Sequence, residues 1–206
     1  IHCMNKDQNE FTLEVWGDLA CFTRPETKVE RLSYPVITPS AARGIFDAIF
    51  CNKHKMWWQI KRIELLTEPK FIALRRNEVK GRASINKISK WINSTIEPEP
   101  LMADGDDDAT GRTQRQTIAL KNVRYRITAE IMVWPGFESR RGEFRDKFVR
   151  KARSGQCQFQ PYLGCREFVA YFELVDGASS VPAPVNIDIG WMIYDVFALD
   201  EPGHSL

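Results

Sequence analysis

The chain has 206 residues, a length that suits one ordinary domain, or one domain with a small appendage, and that allows a buried core. Hydrophobic residues make up 43% and charged residues 27%, the balance of a globular protein rather than of a disordered chain. No apolar run approaches the roughly 20 residues that a membrane-spanning helix needs. The composition therefore excludes the disordered and membrane-spanning classes of protein.

The net charge of +2 hides a segregation of charge along the chain. Residues 97–108 carry six acids and no base, which leaves the remainder of the chain modestly basic. A basic body favours a polyanionic partner such as a nucleic acid, although many ordinary enzymes reach a similar charge. The five cysteines are scattered and the first residues show no signal-peptide pattern, so we expect reduced thiols and a cytoplasmic protein.

The first strand and the first helix have the clearest patterns. Apolar residues or glycine occupy every second position from Phe11 to Cys21, the period of a half-buried strand. Thr38 then supplies an N-cap and Pro39 a proline at the first helical position. Apolar residues recur at helical spacing after it, which predicts a helix from Pro39 to Phe50.

Two β-rich runs, a short helix and a loop come next. The runs at residues 57–67 and 71–79 predict strands, and the weakly amphipathic stretch at 84–92 predicts a helix. Residues 97–111 combine proline, glycine and acids without any periodicity, which predicts a loop inserted in the domain.

The second half of the chain continues with strands around one basic helix. Residues 116–121 and 125–134 indicate one long strand or a hairpin, with an apolar face and a basic face. Residues 139–154 predict a helix with an apolar stripe and a polar side rich in arginine and lysine. Residues 168–175 and 186–199 predict two further strands.

This order of elements matches an α+β fold of the ferredoxin-like type, an antiparallel sheet with helices on one face. We expect a ferredoxin-like domain over residues 1–175 that includes the acidic loop at 97–111. The last predicted strands exceed that unit, so we expect a small C-terminal antiparallel β extension over residues 176–206.

Familiar catalytic signatures are absent. The sequence has no phosphate-binding P-loop, no dinucleotide-binding glycine pattern, no zinc-protease helix and no nucleophile elbow. Cys51 and His54 have the spacing of half a zinc site, but no second half is visible. We therefore expect neither a metal ion nor another cofactor.

Basic residues gather on the predicted third strand and on both sides of the fourth. They are Arg75, Arg76, Lys80, Arg82, Lys87, Lys90, Arg112, Arg115, Lys121, Arg124 and Arg126. In a ferredoxin-like sheet the face without helices is available to contact single-stranded RNA. A solvated sheet face with interspersed cations explains the same pattern, and charge alone does not separate the two interpretations.

Two further features are candidate phosphate contacts. In the turn PYLGCREF, backbone amides around Gly164, with Arg166 beside them, are able to cradle a phosphate. The alternative is a helix-to-strand turn in which Gly164 supplies a positive φ. Arg43 of the first predicted helix is either a phosphate contact or the ion-pair partner of Asp47 one turn later.

Three long segments resemble a known family. They are LEVWGDLACFTRPETKVERLSYPVITPSAARGIFDAIF near the start, TQRQTIALKNVRYRITAEI in the middle, and QPYLGCREFVAYFEL later. In this order and spacing they resemble the CRISPR-associated RAMP proteins of the fifth Cas family, Dvulg subtype, from type I-C systems. The resemblance runs from about residue 11 to residue 175.

The resemblance implies a ferredoxin-like RNA-recognition-type domain and a small C-terminal β domain. It also implies a metal-independent endoribonuclease that cuts precursor CRISPR RNA at the 3′ base of each repeat hairpin. In such cleavage a 2′-hydroxyl attacks the phosphorus and leaves a cyclic phosphate. The implied partners are this RNA, whose 5′ handle the enzyme retains, and the backbone and large subunits of the type I-C interference complex, with no membrane.

The resemblance also implies site residues. Lys121 in ALKNVRY matches the active-site lysine of the family, and a lysine suits stabilisation of negative charge on the phosphorane. The family tyrosine aligns with Phe50, which cannot exchange a proton. The histidine that some members place near the lysine is missing, with Asn122 and Arg124 there instead. We predict Lys121, Arg124 and Tyr125 as the catalytic residues.

The sequence leaves several candidates for the group that transfers the proton during cleavage. Either Lys121 and Arg124 suffice once the hydroxyl is aligned, or Tyr34, Tyr125 or Tyr162 takes part, or the protein cleaves slowly. The predicted RNA contacts are Arg43, Arg75, Arg76, Arg115, Arg126, Arg140, Arg141, Gly164 and Arg166. The rival interpretation is a non-catalytic subunit that grips the RNA handle, or double-stranded DNA, through the same surface.

Overall fold

The computed structural model of this chain describes residues 9–27, 29–79, 83–94, 97–99, 111–175 and 180–195. Six strands in these ranges form one sheet: β1 (Glu10–Ala20), β2 (Arg31–Leu32), β3 (Met56–Leu65), β4 (Phe71–Val79), β5 (Arg112–Val133) and β6 (Tyr171–Leu174). The α-helices are α1 (Pro39–Ile49), α2 (Ile85–Asn93) and α3 (Arg141–Arg153). The predicted mixed α+β class is confirmed, and none of these helices is long and apolar enough to span a membrane.

Strand β5 is the centre of the sheet. The sequence allowed a long strand or a hairpin here, and the structure has a single strand of 22 residues. Strands β1 and β3 both pair antiparallel with residues 125–130 of β5, so they occupy its two opposite edges. Strand β6 pairs antiparallel with the far edge of β1, which gives the order β3-β5-β1-β6.

Helices α1 and α3 cover one face of this sheet because each carries an apolar stripe at helical spacing. The stripe of α1 includes Ile45 and Phe46, and that of α3 includes Phe144 and Phe148. The rings of Phe46 and Phe148 stack with centroids 5.7 Å apart. The N-cap prediction is also confirmed, since Thr38 Oγ1 accepts a hydrogen bond of 3.2 Å from the backbone of α1.

The C-terminal segment corrects one prediction. A strand was expected over residues 186–199, but residues 181–195 form no strand, and residues 196–199 lie outside the described ranges. The segment makes one backbone bond to β3, from Ala183 N to Leu65 O at 2.8 Å, and its apolar side chains line a cavity beside β3 instead.

The chain divides into two compact units, Ile1–Ile72 with Ile118–Leu206, and Ala73–Thr117. The second unit contains most of β4, helix α2 and the first residues of β5. The predicted acidic loop at 97–111 falls in this unit and lies mostly outside the described residues. The predicted domain boundary between residues 175 and 176 also falls at undescribed residues and stays a prediction.

Candidate active site

Lys121 lies where β1 approaches its end. It stands opposite Leu19 of β1, and its side chain is exposed. Its backbone N–H donates to Lys70 O at 2.9 Å, just before β4 begins. No carboxylate of the described residues lies within ion-pair distance of its ammonium group, so the charge of Lys121 faces solvent.

Asn122, the next residue, has an unusual backbone. Its φ is 52°, and within the described ranges it is the one non-glycine residue with a positive φ. Its carbonyl accepts a hydrogen bond of 3.3 Å from Thr67 Oγ1, in the segment between β3 and β4. The same Oγ1 accepts a bond of 3.1 Å from the backbone N–H of Arg124. On the edge of β5 away from β1, the backbone at residues 122–124 is therefore held by one side chain, whereas β1 still pairs with the other edge.

Arg124 is held in place by Glu14 and by an aromatic ring. Its Nε and Nη2 donate to Glu14 Oε2 at 3.0 and 2.7 Å, and its guanidinium lies 5.2 Å from the centre of the Trp16 ring. The side chain is still 43% exposed. Arg124 is thus a fixed and partly neutralised cation, more suited to shape the site than to follow the substrate.

Arg126, a predicted RNA contact, is buried on the sheet face away from the helices. Its side chain is 2% exposed and its Nη2 lies 3.1 Å from Glu14 Oε1. Nη2 also donates to the backbone oxygen of Ser180 at 2.7 Å, so the C-terminal segment helps to cover it. The geometry does not support Arg126 as an RNA contact, because its guanidinium is buried rather than exposed at the surface.

Glu14 joins these two arginines. Burial alone would raise the pKa of this carboxyl, but hydrogen bonds from Arg124, Ser180 and Arg126 outweigh it and hold the pKa below its ordinary value. The carboxylate therefore stays charged at neutral pH, although its side chain is 1% exposed. Sequence reasoning missed Glu14, since it appears only as a polar position in an alternating strand.

Tyr125 points into the core on the helix side. It is buried, its ring packs against Phe22, and burial raises the pKa of its hydroxyl. A group that neither reaches solvent nor ionises readily does not suit proton transfer, so the structure does not support its predicted catalytic role. Tyr34 is also buried, with Arg24 over its ring, whereas Tyr162 is half-buried and lines a pocket.

Gly164 lies against the other side of the end of β1. Its φ is +83°, and a Cβ placed on it would meet the backbone oxygen of Cys21 at 2.1 Å. This position therefore requires glycine for its conformation and for the close approach of two backbones. Arg166, two residues later, is exposed. The phosphate cradle suggested for this turn stays a prediction.

A pocket of about 350 Å³ opens beside this turn, lined by Ser40, Ala41, Arg43, Gly44, Tyr162, Gly164 and Asp195. Arg43 Nη1 lies 3.6 Å from Asp47, so the predicted ion pair within α1 exists. Arg43 Nε also lies 3.1 Å from Asp195 Oδ2, a pair that joins residues 152 positions apart in the chain. No local pattern in the sequence indicates Asp195.

The predicted contacts Arg75, Arg76 and Arg115 belong to the second compact unit. Arg75 is exposed there. Arg76 and Arg115 both pair with Glu78, at 3.1 and 3.0 Å. These three arginines therefore belong to a different compact unit from Lys121.

Phe50 and the basic helix α3 lie at the opposite end of the sheet from Lys121. Phe50 O accepts a hydrogen bond from Trp58 Nε1 at 2.8 Å, and Trp58 stands opposite Ile131. About ten strand residues separate Ile131 from Lys121, roughly 30 Å at the usual rise per residue. Phe50 therefore does not share a site with Lys121, whatever residue the family places there.

Arg140 and Arg141 lie at the beginning of α3, near Phe50. Arg140 donates to both oxygens of Glu143, at 2.8 and 3.0 Å, and its guanidinium lies 5.5 Å from the centre of the Phe144 ring. Phe144 in turn contacts Phe50, with ring centroids 6.2 Å apart. The two predicted RNA contacts of this helix are therefore far from the proposed reaction centre.

Comparison with known proteins identifies a family. The family described as "CRISPR-associated protein (Cas_Cas5)" matches residues 11–196 of the chain. The "CRISPR pre-crRNA endoribonuclease Cas5d" of Mannheimia succiniciproducens is 40% identical over 196 residues, covering 91% of this chain and 85% of that protein. The protein of the same name from Thermus thermophilus is 39% identical, covering 93% and 75%.

A solved structure is similar in fold. A crystal structure titled as a CRISPR-associated protein covers 95% of this chain and 84% of its own, with a TM-score of 0.61 and 20% sequence identity. At 20% identity, this similarity supports a shared fold and nothing more.

Proposed function

Because this chain belongs to the Cas5d family of CRISPR-associated proteins, we propose that it is an endoribonuclease that cleaves precursor CRISPR RNA. The observation that carries the proposal within the structure is the exposed ammonium of Lys121 beside a rigidly held backbone. A lysine in that position is able to approach a phosphate from the solvent side. The activity named for both curated relatives is the one that such a site suits.

The proposed reaction needs no metal ion. The 2′-hydroxyl next to the scissile phosphate loses its proton and its oxygen bonds to phosphorus, while the bond from phosphorus to the 5′-oxygen breaks. The 5′-oxygen takes up a proton, and a 2′,3′-cyclic phosphate remains. Lys121 stabilises the extra negative charge of the phosphorane, and Arg124, fixed by Glu14, supports it electrostatically.

The proposed path of the RNA follows the end of β1. Lys121 lies on one side of this end, and the turn at Gly164 with Arg166 lies on the other. The pocket at Arg43 adjoins the turn and is wide enough to receive a phosphate group. We propose the turn at Gly164 with Arg166, and the pocket at Arg43, as the backbone contacts that hold the handle after cleavage.

We further propose that the sheet is the ferredoxin-like unit expected from the sequence. The strand order β3-β5-β1-β6, with α1 after β1 and α3 after β5, supports this assignment. Membership of an interference complex, beside backbone and large subunits, is proposed on the family resemblance.

One observation favours a second candidate function. Asn122 stands where a proton-transferring histidine is expected near the lysine, and the buried Tyr125 does not replace it. A subunit that grips the RNA handle, or double-stranded DNA, without cutting would have these features. It would bind repeat RNA as well as a nuclease does.

Incubation with matched RNAs separates the two candidates. The protein is mixed, in excess EDTA, with its cognate repeat RNA and with the same RNA carrying one 2′-deoxy nucleotide before the cut. We expect cleavage of the all-ribose RNA alone, with a cyclic phosphate on the upstream product. Binding of both RNAs without cleavage of either would contradict the nuclease and support the handle-binding subunit.

A further inference from the structure

The segment between β3 and β4 lies along the edge of β5, where neither strand pairs with it. At one end Leu66 N donates to Arg124 O at 2.9 Å, and at the other Lys121 N donates to Lys70 O at 2.9 Å. Between these two backbone bonds, the hydroxyl of Thr67 bonds to the carbonyl of Asn122 and to the N–H of Arg124. One side chain thus replaces the missing ladder of backbone bonds.

The conformation that Thr67 supports is unfavourable by itself. Strand residues adopt strongly negative φ, whereas Asn122 has a φ of 52° in the middle of β5. Asparagine tolerates the left-handed region better than most residues, yet nothing in a regular strand selects it. Such conformations persist when the surroundings impose them, and here the Thr67 hydroxyl bonds to the two backbone groups that flank Val123, the carbonyl of Asn122 and the N–H of Arg124.

We infer that Thr67 is a positioning residue of the ribonuclease site, acting through the backbone of residues 122–124 on Lys121 and Arg124. The inference rests on the proposed function. If the hydroxyl is lost, Asn122 is free to return to negative φ, which turns the adjacent peptide and moves the Lys121 ammonium. Displacements of about 1 Å are enough to slow reactions that depend on alignment.

Three substitutions test this role. Thr67→Val keeps the shape of the side chain and removes both hydrogen bonds, and Thr67→Ser keeps the hydroxyl. Thr27→Val is the matched control, because Thr27 Oγ1 also donates to one backbone carbonyl, of Arg24 at 3.2 Å, and accepts from one N–H, of Leu32 at 3.3 Å. It removes an equivalent pair of bonds from a loop elsewhere.

The measurements are single-turnover cleavage of the cognate repeat RNA and the Kd for its 2′-deoxy analogue. We expect the cleavage rate of Thr67→Val to fall about tenfold with Kd unchanged, and Thr67→Ser and Thr27→Val to stay within about twofold of wild type. We expect the backbone coupling constant of Asn122, measured by NMR, to differ from its wild-type value only in Thr67→Val.

Each contrary outcome has a distinct meaning. If wild type cleaves and Thr67→Val cleaves as fast as wild type, or no more slowly than Thr27→Val, the role of Thr67 is overturned. The proposed nuclease activity would then stand. Parallel losses of rate and affinity would also overturn it, as a general destabilisation. A wild-type protein that binds the RNA and never cleaves it would overturn the proposed function and this inference together.

Discussion

Two cations in neighbouring parts of β5, Arg126 and Lys121, have opposite environments. Along residues 125–130, strands pair on both edges, and Arg126 is buried in an ion pair with Glu14. Along residues 121–124, β1 still pairs with one edge, but β3 has ended at the other, Lys121 is exposed, and the Thr67 hydroxyl takes the place of β3. The difference teaches that a cation on a strand is available to a ligand only where its side chain stays exposed; Ser180 helps to cover Arg126, whereas Lys121 is open to solvent.

The largest expected effect is a loss of stability when the buried ion pair at Glu14 is broken. Glu14→Gln removes the negative charge between two arginines and leaves Arg126 buried without its counter-charge. We expect the free energy of unfolding to fall by about 3–5 kcal/mol, measured by urea denaturation. Glu130→Gln, which breaks the partly exposed pair with Lys61, should cost at most about 1 kcal/mol. Equal losses from both variants would contradict a structural role for the buried charge.

Gly164→Ala tests the close approach at the end of β1. The new Cβ would meet the backbone oxygen of Cys21, in addition to the strain of a positive φ. We expect a loss of about 2–3 kcal/mol in thermal or urea unfolding. Gly136→Ala has a similar φ of +87° with open space around it, so it should cost only about 1 kcal/mol. Indistinguishable variants would show that the contact with Cys21 is unimportant.

Acid should weaken the same buried pair. The pKa of Glu14 is lower in the folded chain than its ordinary value of 4.5. Its ion pairs therefore stabilise the fold fully above about pH 4.5, and this contribution is lost as pH falls through the folded pKa. Melting temperatures between pH 7 and pH 3 should fall more steeply for wild type than for Glu14→Gln. Parallel curves would assign the acid sensitivity to other carboxyls.

Asp195→Asn should have the smallest effect, and it should strengthen RNA binding rather than destabilise the fold. It removes a carboxylate from Arg43 in the pocket beside Gly164, so we expect the Kd for repeat RNA to fall a few-fold, about 1 kcal/mol at most. Glu130→Gln removes one negative charge elsewhere and controls for net charge. If both variants bind RNA alike, Arg43 does not contact phosphate.

The local parts of the fold could be predicted from the sequence. Helix α1 follows from Thr38, Pro39 and an apolar stripe, all within twelve residues, and β1 follows from simple alternation. Contacts between distant parts of the chain could not be predicted, because residues such as Glu14 and Arg126 are 112 positions apart in the sequence. The strand expected from residue 186 is absent over residues 186–195 for a related reason, since alternating apolar residues there line a cavity beside β3.

The candidate site divides in the same way. Lys121 and Gly164 could be recognised from sequence, one through the family and one through its place in a turn. Tyr125 was predicted as a catalytic residue because it is one of the tyrosines able to transfer a proton, but neighbouring strand residues face opposite sides of a sheet, and Tyr125 faces the core. Thr67 gave no signal, since its importance depends on a gap between two strands that only the structure displays.

The most direct test of the account is single-turnover cleavage of the cognate repeat RNA, in excess EDTA, by wild type, Lys121→Ala and Lys61→Ala. Lys61 is a comparable strand lysine held by Glu130 at 3.2 Å. We predict that Lys121→Ala lowers the cleavage rate at least about a hundredfold with little change in RNA affinity, and that Lys61→Ala cleaves like wild type. Equal cleavage by all three proteins would contradict the proposed role of Lys121.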